Sequence, residues 1–404
     1  MNQPSPGFER VATGLLIVSV AIVAFKLLAA QILFGVSAIM WLRLVVSDAA
    51  RQPFPPFTWP LAGYLAWTGL SAAFSLEPLT SLIDLRQLVL FLIVPMTMRL
   101  LRGDRAMTAL NVVIAVGAAA SLLAVVQYSI FGFDNLGNRP MGSLSHYMTY
   151  SGIIMLVLGA AVARLLFYPE QRIWPGVAIP ALVAALAMTL TRNAYIGAAV
   201  AALVLVAVRN VKLLAVAPVV MIVFFVAAPQ GIRDRVLSVT DLQDASNRDR
   251  LQMLQMGADI VRDYPVFGVG PEMIGGDDPA AGRAGVYGRY LRPDPVHTYN
   301  PHLHNVPMQI AAERGLPALG FWLAFVGMAA WHLLRQLIDG PARAVAGAGL
   351  AAVVAMLAAG LFEYNFGDSE FLMLFLCLIT LPFAARLPID SALPTGRTAT
   401  QHQA

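Results

Sequence analysis

The chain has 404 residues, of which 58% are hydrophobic and only 12% are charged, whereas soluble domains average roughly 25% charged residues. This composition excludes an ordinary soluble domain, and a net charge of +4 in such a chain does not by itself indicate nucleic-acid binding. The single cysteine, Cys377, excludes both an intrachain disulfide and a cysteine-based metal site.

The hydrophobic residues occur in repeated stretches of roughly 17–25 residues, the length that crosses the hydrocarbon core of a bilayer. They predict an all-α polytopic membrane protein with about 12 transmembrane helices. The predicted spans are Val11–Phe25, Ala30–Val46, Trp59–Phe74, Ser81–Met98, Ala106–Ile130, Tyr147–Phe167, Ile173–Leu190, Ala194–Val208, Val211–Ala228, Val306–Leu334, Val345–Phe362 and Phe371–Ala385. Residues 1–228 then hold spans 1–9, 229–305 form one large polar loop, and 306–387 hold spans 10–12. Residues 388–404, poor in apolar side chains, are predicted to be a disordered tail.

Basic residues alternate between the predicted loops. If the N-terminus is cytoplasmic, the loops on that side contain Arg10, Arg43, Arg51, Arg99, Arg102, Arg105, Arg164, Arg172, Arg209, Lys212, Arg335, Arg343, Arg386 and Arg397. The short loops on the other side are mainly acidic, with Glu77, Asp134 beside Arg139, and Glu363 near Asp368 and Glu370. This is the positive-inside pattern, and it predicts that both termini are cytoplasmic and that loop 229–305 is external.

The polar loop contains a predicted helix. Asn247 is a plausible N-cap, Leu251, Leu254, Ala258 and Val261 recur at helical spacing, and Tyr264–Pro265 ends the helix. The segment Phe267–Pro271 then predicts a turn. Its Gly-x-Gly pattern does not indicate nucleotide binding, because no strand–helix–strand context surrounds it.

Three arginines could bind an anion. Arg192 lies between two apolar stretches, where a guanidinium must face protein, water or an anionic ligand. It could be a phosphate clamp or a snorkelling interfacial residue. Arg248 and Arg250 would lie in the first turn of the predicted helix, where a cation opposes the helix dipole. That arrangement favours a bound anion or pairing with neighbouring carboxylates.

Three histidines, His297, His302 and His304, end the polar loop. They could bind a metal ion, with Asp294 as the nearest carboxylate, although neither an HExxH motif nor cysteine supports this. Alternatively, His304 could act as a general base, because its ordinary pKa suits proton removal near neutral pH.

The order of these motifs resembles the O-antigen ligase and polymerase superfamily of membrane glycosyltransferases. The most specific part is His304–Asn305 followed, after nine residues, by Gly315–Leu316–Pro317. Residues 247–248 through 265–270 are similar to the family's arginine-to-glycine segment. Thr191–Tyr195 looks like its segment of hydroxyl residue, arginine and aromatic residue, and Arg139–Ser143 resembles its short outer loop before the sixth span.

The resemblance implies a function at the periplasmic face of a bacterial inner membrane. The donor would be an undecaprenyl-diphosphate-linked glycan and the acceptor lipid A-core, with inversion at the anomeric carbon. The resemblance makes His304 the base and Arg192, with Arg250 or Arg248, the diphosphate ligands. Asn305, His302, Arg289 and Arg139 would bind or orient substrate, and neither a metal nor a cofactor would be needed.

Three alternatives remain open at this point. An O-antigen polymerase would pass the glycan to another lipid-linked glycan, and a protein O-oligosaccharyltransferase would pass it to a serine or threonine. The sequence separates these poorly from a ligase. A secondary transporter would also have about 12 spans, but internal repeats and acidic residues deep within spans are not evident in the sequence.

Overall fold

The computed structural model describes residues 5–47, 53–241, 243–275, 286–297 and 299–389. Within these ranges the regular secondary structure is helical and contains no strand, so the predicted all-α architecture is confirmed. The predicted disordered tail lies outside the described residues from 390 onward, as do Arg51 and Arg397.

Sixteen α-helices form the described part of the chain. The first eight are α1 (Pro6–Ile22), α2 (Leu27–Ser47), α3 (Thr58–Ala73), α4 (Pro78–Asp84), α5 (Ile93–Leu100), α6 (Asp104–Ser129), α7 (Tyr147–Phe167) and α8 (Ile173–Met188). The others are α9 (Arg192–Arg209), α10 (Ala217–Ala227), α11 (Gln230–Leu237), α12 (Ala245–Asp263), α13 (Val286–Arg289), α14 (Val306–Asp339), α15 (Arg343–Ala359) and α16 (Ser369–Ala384). Short 3₁₀ segments occupy Leu85–Leu92, Pro169–Gln171, Val211–Val216, Ser238–Thr240 and Asn365–Gly367.

Six helical segments are long and apolar enough to cross a membrane, judged by length and composition among the described residues. They are Leu27–Ser47, Pro78–Leu100, Asp104–Ser129, Tyr147–Phe167, Arg192–Arg209 and Val306–Asp339. Four shorter apolar segments are Ile173–Met188, Val211–Ala227, Arg343–Ala359 and Ser369–Ala384. Each predicted span therefore has a helix at its position, but the count of 12 spans stays a prediction.

The predicted fourth span is not one continuous α-helix. The 3₁₀ segment Leu85–Leu92 separates α4 from α5. Pro95, near the start of α5, has no N–H with which to bond the carbonyl of Phe91 four residues earlier. The break in the α-helical ladder therefore has a cause in the sequence.

The predicted outer loops meet one another at one end of the helical bundle. Ser143, before α7, donates a hydrogen bond to the carbonyl of Phe25, at the α1–α2 turn. Leu76, after α3, donates its N–H to Val269 of the polar loop over 3.0 Å. At the other end, Glu9 pairs with Arg99 in the last turn of α5 and with Arg105 in the first turn of α6. The polar loop, which contributes residues to the site described below, is one of the loops gathered at the first of these ends.

A kink in α14 provides the attachment point for the polar loop. Pro317 has no N–H, so the carbonyl of Glu313 lacks its helical partner. That carbonyl instead accepts hydrogen bonds from the N–H of Gly270 over 2.8 Å and from the hydroxyl of Ser71 over 3.0 Å. Gly315, between them in the helix, has a non-helical conformation with φ of 82°.

Glycine is required where the two backbones touch. A Cβ atom on Gly315 would lie 1.9 Å from the carbonyl oxygen of Val266, and one on Gly268 would lie 2.3 Å from the carbonyl carbon of Glu313. Both glycines also have positive φ angles, which are unfavourable for other residues. The turn predicted at Phe267–Pro271 is confirmed. The nine residues before Gly315 form one helical segment between the N-cap Asn305 and the kink.

The polar loop's main helix, α12, differs from prediction in two respects. It begins at Ala245, and its N-cap is Asp244, whose carboxylate accepts the N–H groups of Ser246 and Asn247. The predicted N-cap, Asn247, is therefore wrong. Its buried apolar face carries Met253, Met256 and Ile260, whereas Leu251 and Leu254 are 55% and 40% exposed. Apolar residues occur on more than one face of this helix, and burial against α14 and the end of the loop selects the methionine face.

Candidate active site

His304 and Glu363 form the centre of the site. The Nδ1 atom of His304 lies 3.0 Å from Oε1 and 3.1 Å from Oε2 of Glu363. Both side chains are largely buried, at 13% and 4% exposure. His304 has a left-handed backbone with φ of 49°, a strained conformation for a residue other than glycine. It directly precedes Asn305, the N-cap of α14, so the chain turns sharply before it enters the helix.

Backbone contacts fix Glu363 beneath the histidine. Three consecutive carbonyl groups at residues 360–362 accept hydrogen bonds from the other walls of the site. The donors are, in chain order, the N–H of Val306 over 2.7 Å, the side-chain amide of Asn305 over 3.0 Å and Nε of Arg250 over 2.8 Å. Asn305 also accepts the N–H of Met308 as helix cap, so it orients His304 through this turn and not by touching its ring.

The charges of the pair stabilise each other. Burial alone would lower the pKa of His304, but the charge and hydrogen bond of Glu363 outweigh burial and raise the pKa above the usual histidine value. Burial would raise the pKa of Glu363, but His304 lowers it well below the usual range. Glu363 is therefore an ionised carboxylate at neutral pH. With Nδ1 engaged, Nε2 of His304 remains for a reacting group.

His302 lies beside the pair as a neutral ring. Its Nε2 atom is 3.6 Å from Oε1 of Glu363, and its ring centroid is 4.4 Å from that of His304. Burial, only partly offset by Glu363, lowers the pKa of His302 to about 4. Among the described residues, His302, His304 and Glu363 form the group of side chains that could hold a metal ion, and His297 and Asp294 are not part of it.

Of the two neighbouring arginines in α12, Arg250 faces the site. It is held by the carbonyl of Phe362 and by the hydroxyl of Ser246 at 2.6 Å. Burial lowers the pKa of Arg250, and the negative charge of Glu363 raises it, so its guanidinium lies in the same electrostatic environment as the histidine pair. Arg248 is exposed to solvent.

Arg192 is buried at the start of α9 and binds the polar loop. Its guanidinium donates to the carboxylate of Asp244 over 2.9 Å, the side-chain carbonyl of Asn247 over 2.8 Å, and the carbonyl and hydroxyl of Ser238. These acceptors surround the N-terminus of α12. Arg192 thus connects the membrane-embedded helices to the loop that carries Arg250.

Two more arginines, Arg139 and Arg235, have charges that interact with that of Arg192. Arg139 donates to the carbonyl of Leu136, and its guanidinium stacks over the ring of Tyr147 at 4.2 Å. Arg235 donates to the carbonyl of Leu190 over 3.0 Å. Burial and the charges of neighbouring arginines lower the pKa of Arg235 to about 10, so it stays charged at neutral pH.

Electrostatic repulsion indicates that these arginines converge. Beside burial, which is the larger cause, the charge of Arg192 lowers the pKa of Arg139, Arg235 and Arg250, and the carboxylates that raise the pKa of Arg235 or Arg250 are Asp244, Asp249 and Glu363. Cations therefore outnumber anions in a partly buried region, which favours binding of an additional anion.

Arg289 lies away from this convergence. It precedes Tyr290, whose hydroxyl donates to Asp263 over 2.6 Å at the C-terminal end of α12. Arg250 is near the opposite end of that helix, about 20 Å away at ~1.5 Å per residue. His297 pairs with Asp249, next to Arg250 on that helix, at 3.2 Å. The structure thus brings His302, His304, Asn305, Arg250, Arg192 and Arg139 together at one end of the bundle, and leaves Arg248 and Arg289 outside.

Sequence reasoning missed three contributors to the site. The sequence indicates Glu363 only as a topology marker in a short loop, and it assigns no role to Arg235. His146 caps α7 through Nδ1, and the charges of Glu363 and His304 act on it. A buried carboxylate has no local sequence signal. The position of Glu363, between a span and the turn at Asn365, was the only hint in the sequence that it could belong to the site.

Residues 177–323 match the family model described as O-antigen ligase. This part of the chain is similar to that family. The matched segment contains Arg192, the polar loop, His304 and the Gly315 kink, but not Glu363. The apolar helices and the match indicate a membrane protein, and the matched family is one of glycosyltransferase-like enzymes in lipopolysaccharide biosynthesis. The family covers both ligases and polymerases and implies lipid-linked glycan substrates. A comparison with curated proteins gave no match.

Proposed function

We propose that the protein transfers O-antigen glycan from undecaprenyl diphosphate to lipid A-core, as an inverting and metal-independent glycosyltransferase. The observation that carries the proposal is the His304–Glu363 pair beside converging arginines. A base and an anion-binding surface are what a transfer from a diphosphate requires. The family match supplies the substrate class.

The reaction is a single displacement. Nε2 of His304 takes the proton of the acceptor hydroxyl, and the acceptor oxygen forms a bond to the anomeric carbon. On the opposite face, the bond from that carbon to the diphosphate oxygen breaks, and the oxygen keeps the electron pair. One displacement inverts the anomeric centre. The Nδ1 proton of His304 stays hydrogen-bonded to Glu363, which fixes the tautomer and stabilises the imidazolium that forms.

The leaving diphosphate is already a stable anion and needs charge neutralisation rather than a strong acid. Arg250 is the first candidate ligand, because it touches the Glu363 turn through Phe362. Arg139 and Arg235 add charge to the same region. Arg192 donates to protein acceptors at the base of α12, so we propose that it positions Arg250 and contributes its charge to the diphosphate site at longer range.

A metal ion is not needed in this scheme. The hydrogen bond to Glu363 engages Nδ1 of His304, and in this scheme Nε2 serves the acceptor hydroxyl. The surrounding arginines also repel a cation. His302, neutral at physiological pH, is then an orienting neighbour of the pair or a sugar ligand.

The proposed setting is the periplasmic face of a bacterial inner membrane, with both termini in the cytoplasm. The loops predicted to be external lie against one another and against the polar segment, which agrees with that topology. The lipid part of the donor would approach between spans, and the acceptor would approach from water over the polar loop.

The polymerase reaction is the second candidate, because the family covers it and it uses the same donor and the same base. A deletion strain separates the two functions by the gel pattern of its lipopolysaccharide. Loss of glycan on core, with long lipid-linked chains accumulating, supports the ligase. Core capped with single repeats would replace the ligase with the polymerase. Unchanged lipopolysaccharide with loss of protein glycosylation would indicate the protein O-oligosaccharyltransferase.

Purified protein gives the direct test. With lipid-linked donor and lipid A-core, the wild-type protein is expected to form the ligated product. His304→Ala is expected to lose transfer while still binding donor, because the arginines remain. Unimpaired turnover by that variant would remove His304 from the mechanism.

A further inference from the structure

A second histidine–carboxylate pair lies on the surface of the polar loop, outside the machinery described above. Nδ1 of His297 is 3.2 Å from Oδ1 of Asp249. Asp249 is 7% exposed, whereas the His297 side chain is 57% exposed. The buried carboxylate therefore fixes a ring whose other edge, carrying Nε2, is directed away from the protein.

This pair is not required to hold the loop in place. Gln252 of α12 already binds the same segment, through the N–H of Val296 over 3.1 Å and the carbonyl of Asp294 over 3.2 Å. Asn300 donates to Asp249 over 3.3 Å and to the hydroxyl of Tyr287. The loop thus has anchors on both sides of His297, so its attachment does not depend on the imidazole alone.

An aromatic ring accompanies the imidazole. Tyr299, two residues later, is 39% exposed, and its hydroxyl donates to the carbonyl of Gly275 over 2.9 Å. The buried Tyr287 connects the two residues, because its hydroxyl donates to the carbonyl of His297 over 3.3 Å and its ring centroid is 6.0 Å from that of Tyr299. His297 and Tyr299 are therefore held side by side by one buried tyrosine.

The pair also lies next to the proposed reaction centre. The negative charge of Asp249 acts on both His304 and Arg250. Asp249 follows Arg248 and precedes Arg250 on α12, and its buried side chain points toward the end of the loop that contains His304. A molecule bound at His297 would extend from the centre toward water.

We propose that His297 and Tyr299, supported by Asp249 and Tyr287, form a sugar-binding subsite of the polar loop. A fixed nitrogen can exchange a hydrogen bond with a sugar hydroxyl, and an exposed aromatic face packs on the apolar face of a pyranose ring. The subsite suits hydroxyl-rich rings better than phosphate, because phosphate has no apolar face to pack on Tyr299. It deepens the proposed function, on which it rests, by giving the glycan a second contact beyond the reacting sugar.

The two possible glycans are distinguished by direct binding, without turnover. The probes are core oligosaccharide freed of lipid A and O-antigen oligosaccharide freed of its lipid diphosphate, each titrated into purified full-length protein. Water-side placement predicts that core oligosaccharide binds here. Loss of O-antigen binding instead, in the variants below, would assign the subsite to the donor glycan. Retention of both would remove the subsite.

Two substitutions separate sugar contact from loop anchoring. The amide nitrogen of asparagine replaces Nδ1, and that of glutamine approaches the place of Nε2. His297→Gln is therefore expected to keep binding, and His297→Asn to weaken it about 10-fold, the effect of one good hydrogen bond. The reverse order, with His297→Asn like the wild type, would reduce His297 to an anchor of the loop.

Tyr299 provides an independent check. Tyr299→Phe keeps the ring and is expected to bind oligosaccharide normally, whereas Tyr299→Leu is expected to weaken binding by about 10-fold. Equal affinities for both variants would overturn the subsite. These binding results do not depend on transfer activity, so failure of the ligase proposal and failure of the subsite are observed separately.

Discussion

Nδ1 of His304 lies 3.0 Å from a carboxylate oxygen of Glu363, although the two residues are 59 positions apart in the chain. Contacts to three successive carbonyl groups before Glu363 hold it there, and they come from both α14 and the polar loop. The pair is consequently a product of the assembled fold. It makes the reactivity of the histidine depend on the docking of the α15–α16 turn.

The first prediction concerns the pH dependence of transfer. A base must be unprotonated, and Glu363 raises the pKa of His304, so activity in the wild type should rise only above the ordinary histidine value of 6.5. Glu363→Gln removes the negative charge and keeps an oxygen acceptor. In this variant we expect lower maximal activity, and we expect the acidic limb of the pH–rate profile to lie at lower pH than in the wild type.

The pH–rate profiles of both proteins test this. His302→Gln is a useful control, because His302 stays neutral near pH 7 and its loss should not move the limb in the same direction. An unchanged limb in Glu363→Gln would show that the pair does not set the pKa of the base.

The second prediction compares two arginines on the same helix. Arg250→Ala is expected to reduce turnover by roughly 10²–10³-fold, as for removal of one preorganised charge from a developing anion. Arg248→Ala is expected to change turnover by less than about 3-fold, because Arg248 is exposed and, two residues from Arg250, lies on the other side of the helix. Transfer rates at saturating donor provide the measurement. Equal losses in the two variants would place the diphosphate elsewhere.

The sequence predicted much of the helical framework because long apolar stretches have few alternatives to membrane helices. It also predicted His304 and Asn305, since both lie at a recognisable boundary between a polar loop and a span. It did not predict Glu363, because a single acid in a short loop looks the same whether it faces water or supports a histidine. The active face of α12 was ambiguous for a related reason: several of its faces carry apolar residues, and only packing selects one.

The role of Arg192 was also beyond local sequence reasoning. A buried guanidinium can bind a ligand or hold two parts of the protein together, and its partners Ser238, Asp244 and Asn247 lie about 50 residues away in the chain. Their convergence depends on how the polar loop folds back on α9. The sequence predicted that a guanidinium between two apolar stretches would be unfavourable without a partner. It did not predict which groups would accept its hydrogen bonds.

The third prediction follows from those contacts. In Arg192→Lys, one ammonium group cannot reach the acceptors that the guanidinium fork serves, so both thermal stability in detergent and transfer should fall. Breaking a buried charged pair costs about 3–5 kcal/mol, and the lysine variant should lose part of this. Asp244→Asn keeps an N-cap oxygen but removes the charge, so it should lose stability as well. Normal stability and kinetics in Arg192→Lys would reduce Arg192 to an interfacial anchor.

The fourth prediction concerns metal removal. His302, His304 and Glu363 have suitable ligand atoms within 4.8 Å of one another. If the pair works as proposed, dialysis against EDTA should leave transfer unchanged and added divalent ions should not increase it. Loss of activity in EDTA that one divalent ion restores would overturn the metal-free mechanism and make these three residues ligands.

The fifth prediction tests the kink that joins the polar loop to α14. Gly315→Ala would place a Cβ atom 1.9 Å from the Val266 carbonyl at a positive φ angle, so the two backbones must separate. We expect a loss of at least about 2 kcal/mol in stability and a larger relative loss of transfer, because His304 lies at the other end of the same helical segment.

Gly320→Ala is the matched control in the same helix, since no atom lies within 4 Å of its Cβ position. That variant should be unchanged or more stable by up to ~1 kcal/mol. Thermal unfolding in detergent and transfer rates measure both effects, and equal behaviour of the two variants would show that the docked glycine turn does not position the site.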